Sequence, residues 1–406
     1  MTSISTEEEI KQLQSSTSTN NILNHIVAKL SSLKAEKAIK ITIKFLHIVN
    51  SNNINYPALC ELTSHGIPDD ISSLRSLIWK ILFRNLSLDS TQWESDLASS
   101  RSKYSAYLDK YINNSIKTKM MKSSNEHPLS LEPTSNWFKY FSDIDLNEEI
   151  LKDIRRTRTH MNFFFKPYKA QTSTKSPITN EQITKAAELT KNEHIPHLIK
   201  KDFITNADIM NRILFIYGRL HPDVRYVQGM NELLAPIFYC YSEDSNESNF
   251  NYIEADVFTS FENLMSEIKD IFIRSKDKTE TGIETIMKHL EQLIEFYDYD
   301  IYAKLKKDNI EMHFFAFKWI TLFFTQDYEI FDILRLWDTI MSQDNKFECV
   351  YMMILTILKM KKKEINDNEF SGAMMVLQEI SDISIYHLLN GREEIKKELV
   401  EKVKMG

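Results

Sequence analysis

Glycine is scarce in this chain: seven in 406 residues, at positions 66, 218, 229, 282, 372, 391 and 406, beside only nine prolines. Tight hairpins need positive φ and phosphate-cradling loops need close backbone approach, so a sheet-rich fold or a built-in nucleotide loop is hard to make from this stock. Neither Gly-x-x-x-x-Gly-Lys nor Gly-x-Gly-x-x-Gly occurs. Any nucleotide involved in the function is therefore expected on a partner. The three cysteines, Cys60, Cys240 and Cys349, are too few and too scattered for a disulfide framework or a zinc-binding pair. Positive charge is not in excess either. A formal net charge of −7 argues against a broad nucleic-acid surface, and the basic runs at 359–363 and 396–404 read as solvated helix faces. The longest apolar stretch, residues 312–324, contains Lys318 and falls short of the roughly 20 residues that span a bilayer. The N-terminus lacks the basic start and apolar stretch of a signal peptide, and the C-terminus has no prenylation cysteine. The expectation is a soluble cytoplasmic protein whose contact with membranes is at most indirect.

What is present points to helices. Hydrophobic residues make up 42% and charged residues 26%, the balance of a globular chain that folds. Ile22, Ile26, Leu30 and Leu33 recur at helical spacing, as do Phe258, Phe261, Met265, Ile268 and Phe272. So do Ile283, Ile286, Met287, Leu290, Leu293 and Ile294, and again Ile330, Phe331, Leu334, Trp337 and Met341. Residues 312–324 are apolar nearly all round, which predicts a helix buried in the centre of a large domain. The reading is an all-α fold. Residues 1–20, rich in Ser, Thr and Asn, are expected to be disordered, and 21–60 to form an N-terminal helical segment. A large domain is expected over 61–390 and a helical tail over 391–406. Within the large domain, 166–205 reads as a mobile insertion with one short helix near 179–190.

Two short motifs carry chemistry. In Ile150-x-x-Asp153-x-x-Arg156, a helical register places the carboxylate three residues before the guanidinium, on one face. An exposed pair of this kind contributes under about 1 kcal/mol, so orientation is the better reason for it. A carboxylate can fix the direction of a planar guanidinium, whose forked donors suit phosphate oxygens. In Tyr226-Val227-Gln228-Gly229-Met230-Asn231, the glycine permits a sharp turn that would aim the Gln228 amide outward, able to donate to and accept from a water. Taken alone, each motif also has an ordinary structural explanation: a surface ion pair for the first, a helix cap and close packing for the second. No metal site is expected. His194-Ile195-Pro196-His197 lacks a third ligand at useful spacing, and the stretch 277–288 has Thr279, Thr281 and Lys288 where a calcium loop needs oxygen ligands.

The order of these motifs, with Gly66-Ile67-Pro68 and Trp79 before them and Leu336-Trp337-Asp338 after, resembles the TBC-domain family of Rab GTPase-activating proteins. Other landmarks agree: Trp93, Arg101-x-x-Tyr104, Glu126-His127-Pro128-Leu129, Trp137, Tyr140-Phe141, and Phe314-Phe315-Ala316-Phe317-Lys318-Trp319. The resemblance implies an all-helical TBC-type domain of two helical subdomains, acting as a GTPase activator and not as a hydrolase by itself. It implies that Arg156 and Gln228 enter the nucleotide site of a Rab GTPase as an arginine finger and a glutamine finger, with Asp153, Tyr226 and Gly229 in support. The chain would need no cofactor of its own, since GTP and magnesium come with the partner, and a lipidated Rab would link it to membranes in vesicle trafficking. The alternative is a catalytically silent Rab-binding or scaffolding module of the same all-α fold. The family usually has a proline shortly after the finger arginine, where this chain reads Thr157-Arg158-Thr159-His160.

Overall fold

The structure is a computed structural model and describes residues 6–17, 20–113, 135–168 and 204–405. These contain seventeen α-helices, short 3-10 turns and no strand, so the chain is all-α. The expected helix near 179–190, the Glu126-His127-Pro128-Leu129 motif and the His194/His197 pair lie outside the described residues. The chain divides into two compact units, Met1–Ile54 with Asp69–Ser266, and Asn55–Pro68 with Glu267–Gly406. That division departs from the expected boundary at 60: the segment carrying Gly66-Ile67-Pro68 groups with the C-terminal half, and the N-terminal helices group with the two motifs.

The first unit opens with α1 (Thr6–Ser16), α2 (Asn21–Leu30) and α3 (Glu36–Val49). The polar composition that predicted disorder to residue 20 is overridden from Thr6 onward. Leu13 is buried, α1 packs on α2 and α3, and the Thr17 hydroxyl donates to the Leu13 carbonyl at 2.8 Å. Helix α4 (Tyr56–Ser64) belongs to the second unit, and the first resumes with α5 (Ser72–Leu82) and α6 (Trp93–Leu108). It continues with α7 (Asn136–Ile154), α8 (Asn206–Leu220), α9 (Met230–Ser242) and α10 (Ile253–Ile268). Helix α8 lies against α7 and α9, and α9 also meets α5. Leu233, Leu234, Ala235, Ile237 and Phe238 of α9 are all fully buried, making it the helix buried on nearly every side. Acids at the start of α10 tie the surrounding helices together. Asp256 accepts from Lys80 of α5 and from both sides of the Arg101 fork of α6, each at 2.8 Å. Glu254 pairs with Arg212 of α8 and accepts from the Tyr104 hydroxyl at 2.6 Å.

Between α7 and α8 the two described ends of the expected insertion meet. Pro167 and Thr205 form an isolated antiparallel bridge, the Tyr168 amide donates to the Ile204 carbonyl at 2.8 Å, and the Asn206 amide donates to the Lys166 carbonyl at 3.0 Å.

The second unit holds α4, α11 (Ile283–Tyr297), α12 (Tyr299–Lys307), α13 (Ala316–Leu322), α14 (Ile330–Met341), α15 (Lys346–Asp367), α16 (Phe370–Gln378) and α17 (Ile385–Met405). The long helix expected over 312–324 is not formed. A 3-10 turn, Met312–Phe314, precedes α13, Phe323 and Phe324 turn left-handed (φ 49° and 63°), and Phe314 and Phe317 are exposed. The boundary expected at 390 falls inside α17, where Ile395 is buried and the helix runs along α15. Gly66 has φ +102°, and a Cβ there would meet Arg335 Nε at 2.6 Å. The fully buried Asp338 accepts from the Ile67 amide at 2.9 Å, so this carboxylate holds the Gly66-Ile67 turn in place.

Candidate functional site

The first motif sits where α7 ends. Ile150 and Ile154 bury the last turn, Arg155 is the C-cap, and the chain then continues as a turn. Arg156 thus lies just past the helix, not on it as the spacing predicts. The pairing survives because the Arg156 amide still donates to the Asp153 carbonyl at 3.1 Å, which keeps helical proximity for one more residue. Thr157 is buried and Arg158 turns left-handed at φ 43°. A guanidinium near exposed C-terminal carbonyls is also favourably placed against the helix dipole.

The second motif fills the turn between α8 and α9. The His221 amide closes α8 on the Tyr217 carbonyl at 3.0 Å, and Arg225 then reverses the chain in the left-handed region at φ 58°. Gly229, at φ +102° and ψ −16°, is the N-cap of α9. That conformation is open to glycine and strained for residues with a Cβ, so the sharp turn expected beside the glutamine is present. Gln228, one residue before the cap, is exposed.

A buried carboxylate joins the two turns. One Asp153 oxygen accepts from Arg156, and the other accepts from the Tyr226 hydroxyl at 2.6 Å. The Arg156 side chain is 59% exposed while that of Asp153 is 6% exposed, so the guanidinium stands in solvent on a buried anchor. Burial of Tyr226, reinforced by its bond to Asp153, pushes the phenol well above its usual range and keeps its proton available to donate. Asn231 donates to the Thr157 hydroxyl at 2.8 Å, and that hydroxyl donates to the Asp153 carbonyl at 2.9 Å. Glu232 is buried beside them. Its desolvation pushes the carboxyl above the usual range, Asp153 adds to the shift, and Arg158 and Arg156 oppose it.

Of the residues singled out by sequence, Asp153, Arg156 and Tyr226 are bonded together, and Gly229 makes the turn that carries Gln228. Asn231, Thr157 and Glu232 carried no role in the sequence reading. Their only sequence signal was adjacency: Thr157 follows the arginine and Asn231 closes the glutamine motif. Among the described residues, no group of three or more His, Cys, Asp or Glu side chains is placed to hold a metal.

The fold is that of a Ypt/Rab-GAP domain. The crystal structure of this domain from Gyp1p superposes with a TM-score of 0.64 at 20% identity, covering 91% of this chain and 99% of that one. The sequence profile of the Rab-GTPase-TBC domain matches residues 139–366, more than half of the chain. The human protein TBC1 domain family member 13 is 31% identical over 387 residues, spanning 87% of this chain and 96% of its own length. A TBC domain-containing protein of Schizosaccharomyces pombe is 27% identical over 86% of this chain and 71% of its own. The chain belongs to the Rab-GTPase-TBC domain family.

Proposed function

We propose that this chain is a GTPase-activating protein for a Rab-type small GTPase and supplies two catalytic side chains in trans. The observation that carries the reading is the shared frame: an exposed guanidinium and an exposed amide, on adjoining turns tied through buried Asp153 and Tyr226. GTP hydrolysis requires neutralisation of charge spread over the transferring phosphoryl group, and a group that orients the attacking water. Arg156 would serve the first need with its spare donors. Gln228, whose amide both donates and accepts, would serve the second. Asp153 and Tyr226 hold Arg156 in direction, so less rotamer freedom is lost when it enters the nucleotide site. GTP and its magnesium arrive on the GTPase, and this chain acts as an activator, not as a hydrolase by itself.

An arginine finger accelerates hydrolysis about 10³- to 10⁵-fold, roughly 4 to 7 kcal/mol off the barrier. No helix among the described residues is long and apolar enough to cross a membrane. On this reading the lipid anchor of the GTPase would bring the chain to endomembranes and to vesicle traffic. The test is single-turnover GTP hydrolysis by a panel of Rab proteins with wild type, Arg156→Ala and Gln228→Ala. Acceleration of at least one member by wild type, lost in both variants, is the expected result. A panel with no acceleration defeats the catalytic reading, and acceleration retained by both variants defeats the residue assignment.

A further inference from the structure

The turn that carries Arg156 lacks proline, and its exposed arginine would sample many directions unless the backbone beneath it were held. Four buried side chains form a closed circuit under that turn. Asp153 meets Tyr226 through its carboxylate, the Tyr226 hydroxyl lies 3.2 Å from Asn231 Oδ1, Asn231 Nδ2 donates to Thr157, and Thr157 donates back to the Asp153 backbone carbonyl. The Thr157 hydroxyl both donates, to the Asp153 carbonyl, and accepts, from the Asn231 side-chain amide. Of these links, Asn231 to Thr157 is a direct tie between the first turn of α9 and the turn after α7. The Asp153 carboxylate faces two partners, Arg156 and Tyr226, and the Asn231 amide faces three, Tyr226, Thr157 and Glu232, so loss of the Asn231–Thr157 tie leaves buried polar atoms free to repack the turn.

We propose that Thr157 and Asn231 are positioning residues that fix the Arg156 turn against the Gln228 turn, giving this chain by hydrogen bonds the stiffness that a proline would give by its ring. The inference rests on the GTPase-activating reading for its rate readout, but not for its structural one. Glu232 is buried beside Asn231, 3.4 Å from its amide nitrogen, and its raised carboxyl pKa marks a poorly solvated setting in which such hydrogen bonds are strengthened.

Three variants separate positioning from simple stability. Thr157→Val removes the hydroxyl and keeps the branched shape, Thr157→Ser keeps the hydroxyl, and Asn231→Ala removes the tie from the other side. Each is assayed for the maximal single-turnover rate on the accelerated Rab protein, for the half-saturating concentration, and for amide hydrogen exchange along the chain. Thr157→Val and Asn231→Ala are expected to lower the maximal rate about 10- to 100-fold, the scale of a small misplacement of a reacting group. The half-saturating concentration should change little, exchange should quicken over 154–161 and 226–231, and Thr157→Ser should remain near wild type. Unchanged rate with unchanged local exchange overturns the proposal, as does faster exchange spread evenly over the whole first unit. If wild type accelerates no Rab protein, the functional reading falls by itself, and exchange alone decides: local quickening upholds the tie and its absence overturns it.

Discussion

Arg101 and Arg156 each face an aspartate in the same helical unit, and the two pairs are built differently. Arg101 spends both sides of its fork on Asp256, which also receives Lys80, and its guanidinium lies 4.1 Å from the centroid of the Tyr252 ring. Its side chain is 17% exposed. Arg156 meets Asp153 through one terminal nitrogen, while the other Asp153 oxygen is taken by Tyr226. The Arg101 pair joins α6 to α10, whereas the Arg156 pair leaves most of the guanidinium in solvent. Coupling between a carboxylate and a guanidinium thus does not by itself mark a finger.

The largest effect that would break this contrast is at Arg156. Arg156→Lys keeps the charge and loses the fork, so most of the roughly 10³- to 10⁵-fold acceleration should disappear in single-turnover hydrolysis. The urea midpoint should hardly move, because the substitution keeps a cation beside Asp153 and the Arg156 side chain is itself 59% exposed. Asp256→Ala should do the reverse. It strands the buried Lys80 and the half-buried Arg101, with an expected loss of about 3–5 kcal/mol in urea unfolding, and affects hydrolysis only through the folded fraction. Burial alone would raise the Asp256 carboxyl, but Lys80 and Arg101 outweigh it and hold it below the ordinary 3.8. Its stabilisation is therefore full above that value and is lost as pH falls through the lower, folded value. Wild type should weaken on acidification below about pH 3.8 by a component that Asp256→Ala lacks.

Gly229→Ala should cost about 1–2 kcal/mol, the penalty of a Cβ in left-handed backbone, and should re-aim Gln228. A thermal melt beside the hydrolysis assay reads both, and a variant normal in each would remove the turn from the mechanism. The smallest effect is at Glu232. Its raised carboxyl favours the protonated fold, so its contribution is present below the unfolded value of 4.5 and is lost as pH rises through the folded one. Glu232→Gln should hence gain on wild type as pH rises above about 4.5 in melts followed across pH.

Helix existence was legible in the sequence because burial of one face imposes its period. Phe258, Phe261, Met265 and Ile268 are all buried as their spacing predicts. The stripe fails at its end, where α10 passes into the 3-10 turn Lys269–Phe272 and the change of period buries Ile271 in place of Phe272. Phe331 departs for another reason: it lies in the first turn of α14 and is 67% exposed although its spacing fits. Composition misjudged α1, whose few apolar residues suffice because α2 and α3 cover them. The residues of the site were legible as types at the right spacing. Their connections were not, since Asn231 reaches Thr157 across 74 positions and Tyr226 reaches Asp153 across 73, and only tertiary folding brings those partners together.

The bridge between Pro167 and Thr205 has a consequence for how this family member could change over time. With Tyr168 bonded to Ile204 and Asn206 to Lys166, the helical frame is closed at that point before the intervening residues, 169–203, are counted. The cost of joining two such ends rises only with the logarithm of the length between them. Segments of different length and composition can therefore be joined at this pair of ends while α7, α8 and the turn after α7 keep their places.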